Sequence, residues 1–268
     1  MNKSIASIIL RALGFGALGG ALAFVFGRIA VEPIINRAIG YEEGRGEAQH
    51  GLDEASGMHQ HGHEGAELFT RTVQENVGLF FGMLLFGLAM GALFAVVYTV
   101  AIGRLGNLAA RNLALVVSGG MFLALYVTPF LKYPPNPPAA SAEETIKERT
   151  GLYLLMVVIS IAALVAAIWL SRRLADRYGN WTANIIAGKA YIIVTVLVML
   201  VLPNIAETPG PLLDAAGNIV FPSFPAQDLY LFRLYSFIAQ AIIWVTIGIG
   251  FATVIGRKPV SAEASVTG

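Results

Sequence analysis

The chain contains no cysteine. That excludes disulfides and thiolate metal sites, so a bound metal would need histidine, carboxylate, methionine or backbone oxygen. Charge is scarce too: Asp, Glu, Lys and Arg make up 13% of the 268 residues, against about 25% in soluble domains. The net charge of +1 supplies no basic footprint for a nucleic-acid partner. No G-x-x-x-x-G-K-[ST] loop is present, so the chain carries no nucleotide-binding signature of that kind. Histidine is confined to four positions, His50, His59, His61 and His63.

What the chain has is apolar surface. Hydrophobic residues reach 56% and mean hydropathy is +0.67, more than a water-soluble globule can cover. Six runs approach the ~20 residues that a helix needs to cross a bilayer core. They are 12–31, 77–102, 113–131, 152–170, 185–202 and 234–255. The third to fifth lie near the short end, so one of them could be re-entrant. None alternates with a period of two, which argues against barrel strands. Lys3 and Arg11 resemble the start of a secretory signal, but the first run is longer than a signal's ~7–15-residue apolar core, so a retained helix is expected. The predicted fold is an all-α integral membrane protein, one membrane domain over 1–268, with a bundle of about six transmembrane helices.

Lys and Arg set the orientation. Arg11, Arg104, Arg111, Arg172, Arg173, Arg177 and Arg257 fall in short pieces on one side, which the positive-inside rule places in the cytoplasm together with both termini. The other side then carries a histidine- and acid-rich loop at 32–76 and proline-rich loops at 132–151 and 203–231. Of 17 acidic residues, nine lie in 32–76. They are either a solvated loop or a negative vestibule that concentrates cations.

The histidines are more specific. His59, His61 and His63 alternate, so an extended segment points all three to one side. They can close on one divalent ion, with His50, Met58, Glu64 or Glu67 completing the shell. Imidazole with carboxylate suits cobalt, nickel, zinc or copper(II), and affinity alone does not separate them. Ligating imidazole must be neutral, so binding should weaken as pH falls through about 6.5. The plainer alternative is a polar loop that binds metal adventitiously.

Polar groups within the runs are few. Arg28 and Glu32 stand one turn apart and read as an i, i+4 pair. Gln74, Glu75 and Asn76 either relay an ion or cap the second helix. Gln240, one turn before Trp244, suits an interhelical hydrogen bond. Glu75, Asn76 and Gln240 are therefore the candidate pathway residues. Gly14, Gly16, Gly19 and Gly20, with Gly82, Gly87 and Gly91, are spaced for close backbone approach. Lys132-Tyr133-Pro134-Pro135-Asn136-Pro137-Pro138 must be stiff and extended; it would brace the vestibule or line it with carbonyls. Asp228 is five residues before Arg233, too far for a one-turn pair, and has no evident partner.

Several of these segments together resemble the CbtA family, proposed cobalt transporter subunits linked to cobalamin synthesis. They are Arg28-Ile-Ala-Val-Glu32-Pro33, Lys132 to Pro138, Phe224-Pro-Ala226 to Phe232-Arg233, and Gln240 to Trp244. The resemblance spans almost the whole chain, and the proline loop is its most specific part. It implies import of a divalent transition metal, with cobalt as the expected ion, as cargo rather than as a prosthetic group. It also implies a small single-span, histidine-containing CbtB-like partner, and a multi-pass protein of the bacterial inner membrane. The family is usually described with five spans, against the six counted here. The alternative is a non-transporting metal-binding accessory subunit or receptor for another permease. An enzyme is not expected, because no second ligand shell or nucleophile accompanies the histidines.

Overall fold

The computed structural model describes residues 3–56, 70–106, 108–138, 140, 143–205 and 208–256. Helix dominates. In chain order the elements are α1 (Lys3–Phe26), the π-helical π1 (Gly27–Val31), α2 (Glu32–Ala55), α3 (Arg71–Val73), the π-helical π2 (Gln74–Gly78) and α4 (Leu79–Ala101). Then come α5 (Ala110–Phe122), the π-helical π3 (Leu123–Val127), α6 (Thr128–Lys132) and α7 (Glu143–Val201). The two short strands β1 (Leu212–Leu213) and β2 (Ile219–Phe221) precede α8 (Ala226–Val254). The strands pair antiparallel, a small departure from the expected all-α chain. Asp214 explains that turn: its carboxylate accepts from the backbone N–H of Ala216 and Asn218 at 2.9 and 2.8 Å. These bonds hold the Asp214 carboxyl below its usual range, the side-chain bond from Asn218 contributing most.

Five helical stretches are long and apolar enough to cross a membrane: 5–55, 71–101, 110–132, 145–201 and 226–254. The fourth is not one rod. Gly179 sits inside it at φ 75° and ψ 158°, a region essentially reserved for glycine. Ser171 Oγ donates to Asn184 Oδ1 at 2.5 Å, and the Ser160 and Tyr191 hydroxyls meet at 2.7 Å. In a straight helix, residues thirteen apart lie ~20 Å apart. The chain therefore reverses at Gly179, and its two arms pack antiparallel through Leu164, Ala167, Ala187 and Tyr191.

The main core lies between α1, α4, α5 and α8, with Ala12, Phe94, Tyr98, Leu113, Val117, Ile243, Ile247 and Phe251 at its centre. α1 packs most extensively on α4, for a reason visible in the glycines. A Cβ on Gly16 would strike the Gly87 carbonyl, and one on Gly87 the Gly16 carbonyl. Gly91 and Gly20 stand in the same way against the carbonyls of Ala12 and Met83. Gly14 and Gly82 face open space, so only part of the small-residue pattern serves packing. The α7 hairpin joins the bundle through π3 and α6, where the Thr128 hydroxyl meets the Tyr191 hydroxyl at 2.7 Å.

The expected loop at 32–76 is helical over 32–55: α2 continues α1 and π1, with Pro33 directly after the π-helical stretch, where its missing N–H leaves one bond of the continuous helix unmade. Low hydropathy concealed this. The base of α2 buries Ile34, Ala38 and Tyr41, and Tyr41 packs edge-on against Phe224 at 5.0 Å. The Tyr41 hydroxyl donates to the Pro222 carbonyl at 2.9 Å, and Arg45 to the Gly210 carbonyl at 2.8 Å. The β-hairpin segment thus clamps the polar helix.

Candidate functional site

The polar residues of the apolar runs gather at the α2 end of the bundle. Arg28 donates from Nε to Asn76 Oδ1 at 3.0 Å and from Nη2 to Glu75 Oε1 at 3.3 Å. Glu32 accepts from Arg71 Nη2 in a short ion pair, and Arg71 also reaches Asn36 Oδ1 at 3.1 Å. The expected Arg28–Glu32 pair does not form. Arg28 lies within π1 and Glu32 directly follows it, its N–H bonded to the Gly27 carbonyl five residues back. That wider turn takes residues four apart out of the stacking on which an i, i+4 pair depends. Each instead finds its opposite charge on the returning helix. Glu75 and Asn76 accordingly hold Arg28, rather than capping a helix terminus.

Behind this clasp lies a cavity of about 550 Å³. Among the described lining residues, Glu32 is the one carboxylate; Asn136, Arg149, Tyr126, Tyr153 and Gln240 supply other polar groups. Two of the π-helical stretches border it, through Gly27 and Val31 from π1 and Tyr126 from π3, and Leu79 joins them from the start of α4. Such wide turns recur at functional sites because they redirect side chains and carbonyls within a helix. Glu32 itself is 2% exposed, a costly place for a carboxylate without a cation beside it.

The proline loop forms one wall. Tyr133 OH donates to the Pro203 carbonyl at 2.8 Å, Lys132 Nζ to Asn204 Oδ1 at 2.6 Å, and Arg233 Nη2 to Asn136 Oδ1 at 2.7 Å. Arg149 donates to the Pro134 carbonyl in a short bond. The loop is therefore a brace. Its one carboxamide, Asn136, also lines the cavity. Asp228 does have a partner: Arg37 grips its Oδ1 from Nε and Nη2 at 3.0 and 2.6 Å, which raises the Arg37 guanidinium above its ordinary value.

Among the expected metal ligands, His50 lies on α2, four residues before Glu54. Met58, His59, His61, His63, Glu64 and Glu67 lie outside the described residues, and the described residues hold no group of three or more His, Asp or Glu placed to share a metal. Of the expected pathway residues, Gln240 borders the cavity, whereas Glu75 and Asn76 are engaged with Arg28. Sequence reasoning missed Glu32 as a cavity residue, because a salt-bridge partner had been assigned to it one turn away.

The family model of CbtA, described as a probable cobalt transporter subunit, matches residues 5–256. The chain belongs to the CbtA family. No curated protein and no solved structure matches it. Family membership makes it a membrane transport protein of the cobalt class, and four of the segments that carried the resemblance converge on this end of the bundle. Arg28 and Glu32 form half of the clasp, and the proline loop walls the cavity. Arg233 ties that loop to α8, and Gln240 lines the cavity.

Proposed function

We propose that this chain is the membrane subunit of a bacterial inner-membrane importer that takes up divalent cobalt for cobalamin synthesis, with its α2 side in the periplasm. The observation that carries the reading is the match of the cobalt transporter family over nearly the whole chain. The physical layout supports it: the residues flanking the candidate metal loop, on α2 and at Arg71, lead directly to the Glu32 clasp and the cavity. In this reading His59, His61 and His63 capture the ion, assisted by His50, Met58, Glu64 and Glu67. Six crossings follow if each arm of the Gly179 hairpin spans the bilayer. Both termini then lie in the cytoplasm, on the side where Arg11, Arg104 and Arg172 bind the carbonyls of Val254, Val100 and Arg104.

A membrane potential of 100 mV would favour inward movement of a divalent cation by ~4.6 kcal/mol, at ~2.3 per charge. No nucleotide site is needed for import down that gradient. The family description as a subunit supports a partner, for which a small single-span, histidine-bearing CbtB-like protein is the expected candidate. The same word supports the second reading, an accessory subunit that gathers cobalt for another permease.

The test is radioactive cobalt uptake at submicromolar metal by cells lacking their own importer. The chain is expressed alone or with its partner, and with His59, His61 and His63 either intact or changed to Ala. Uptake that follows the chain and falls with the histidines supports an importer with a capture loop. Uptake that needs another permease would establish the accessory role.

A further inference from the structure

We propose that the cavity behind the clasp is a second cation station, with the Glu32 carboxylate as its anionic ligand and Arg71 as a resident counter-cation that the ion displaces. The proposal deepens the importer reading and rests on it for the identity of the cargo.

The placement of Glu32 is the main argument. A carboxylate only 2% exposed at the wall of a 550 Å³ cavity is tolerable only with a cation against it. In the structure Arg71, on the short α3, supplies that cation. Arg71 is anchored through Asn36 and Glu32 alone among the described side chains, and its own side chain is 33% exposed. It is the more solvent-accessible and more easily moved member of the pair. Arg28, by contrast, is held by both Glu75 and Asn76, so withdrawing Arg71 leaves the rest of the clasp in place.

The surroundings suit a divalent ion that keeps part of its water. The wall is largely apolar, but Gln240, Tyr126, Tyr153, Ser236 and Thr150 are among the residues lining the same space, and oxygen ligands of the kind they carry complete a shell around a carboxylate-bound cation. Arg149, the one cation lining the cavity, is tied to the Pro134 carbonyl. Position matters as well. Arg71 is the second described residue after the candidate capture segment, so the counter-cation for Glu32 and the entrance are on one short piece of chain. Exchange of Arg71 for the metal keeps a positive charge against Glu32 throughout, which avoids an unpaired buried carboxylate at any stage.

The test uses the full chain in nanodiscs with His50, His59, His61 and His63 all changed to Ala, which removes the imidazole ligands. Cobalt binding is read by calorimetry and by the visible absorption of bound Co²⁺. The expected result is one ion per chain, at least tenfold weaker binding in Glu32→Gln, and severalfold tighter binding in Arg71→Gln. If Glu32→Gln fails to fold, Glu32→Asp and Arg71→Gln decide, the second by whether removing the guanidinium tightens binding. Cobalt bound equally well with Glu32→Gln, or no tighter with Arg71→Gln, would overturn the proposal, as would no binding in the histidine-free chain. Uptake separates the two readings. Transport that survives Glu32→Gln with unchanged binding removes the station and leaves the importer. Glu32-dependent binding without any uptake removes the self-sufficient importer and leaves the station.

Discussion

Arg28 and Glu75 face each other at 3.3 Å in a register that runs the length of the contact between the first helix and its antiparallel neighbour. Their residue numbers sum to 103, as do those of Glu32 with Arg71, Gly20 with Met83, Gly16 with Gly87, and Ala12 with Gly91. The contacts are spaced four or eight residues apart, from close glycine packing at one end to ion pairs at the other. Both strands of this pairing contain a π-helical turn, π1 opposite π2. One wide turn alone would shift the register by a residue; two facing turns preserve it. Disturbing the charges at the α2 end should therefore be costly. Arg71→Gln, which strands the buried Glu32, is expected to lower stability by about 3 kcal/mol. Glu32→Gln with Arg71→Gln should recover most of that loss, as measured by a double-mutant cycle on thermal unfolding in detergent.

Gly87→Ala should destabilise by about 2 kcal/mol or more, because its new methyl meets the Gly16 carbonyl and a backbone wall yields less readily than a side chain. Gly14→Ala, with nothing within 4 Å, should be tolerated. Melting curves followed by fluorescence-detected size exclusion compare the two; equal effects would mean that α1 and α4 are not packed through this face.

Gly179→Ala is expected to cost ~1–3 kcal/mol through backbone strain alone, since the space around Gly179 is open. The reversal itself is tested separately with a cysteine pair, for which this cysteine-free chain is a clean background. Ser171→Cys with Asn184→Cys should form a disulfide under mild oxidation, because the native side chains are in hydrogen-bond contact. A straight helix would hold those positions far out of bonding range.

Acid should loosen the β1–β2 turn. The Asp214 carboxyl is held below its ordinary value of 3.8, so its bonds favour the folded turn fully above that pH. They are lost as pH falls from there through the lower folded-state value. Amide exchange of Ala216 and Asn218 should accelerate over that acid range in the native chain and show no such step in Asp214→Asn.

Arg37→Ala should lower stability by only ~0.2–1 kcal/mol, as is usual for exposed ion pairs, despite the two-pronged grip on Asp228. A much larger loss in thermal unfolding would mean that the pair orients α2 on α8.

The helices were legible because each apolar run reaches or approaches the ~20 residues that cross a bilayer core, and the glycines announced the α1–α4 contact by their spacing. The helical character of 32–55 was not. Its polarity and four glycines read as loop, whereas its order comes from continuity with α1 and from Tyr41 held by Phe221 and Phe224, contacts with a segment about 180 residues away. The Arg28–Glu32 error arose from assuming an α-turn where the chain makes a π-turn, which residue identity does not reveal. Arg37 with Asp228 was invisible for the same reason as the Tyr41 cluster: local spacing cannot find a partner in a distant helix. The histidine ligands were the clearest chemical signal, and six of the seven proposed ligands fall outside the described residues.

The first helical stretch, Ile5–Ala55, has 51 residues and is ~75 Å long at ~1.5 Å per residue, more than twice the ~30 Å depth of a bilayer core. If the core ends near Val31, the 24 residues of α2 carry its tip ~36 Å beyond, well past the lipid headgroups. Electrostatic influence in physiological electrolyte fades over about 8 Å. An ion arriving beside His50 is therefore met in bulk solution, indifferent to whether the lipids below are anionic. Lipid composition can act on the ion only farther down, near the base of the helix.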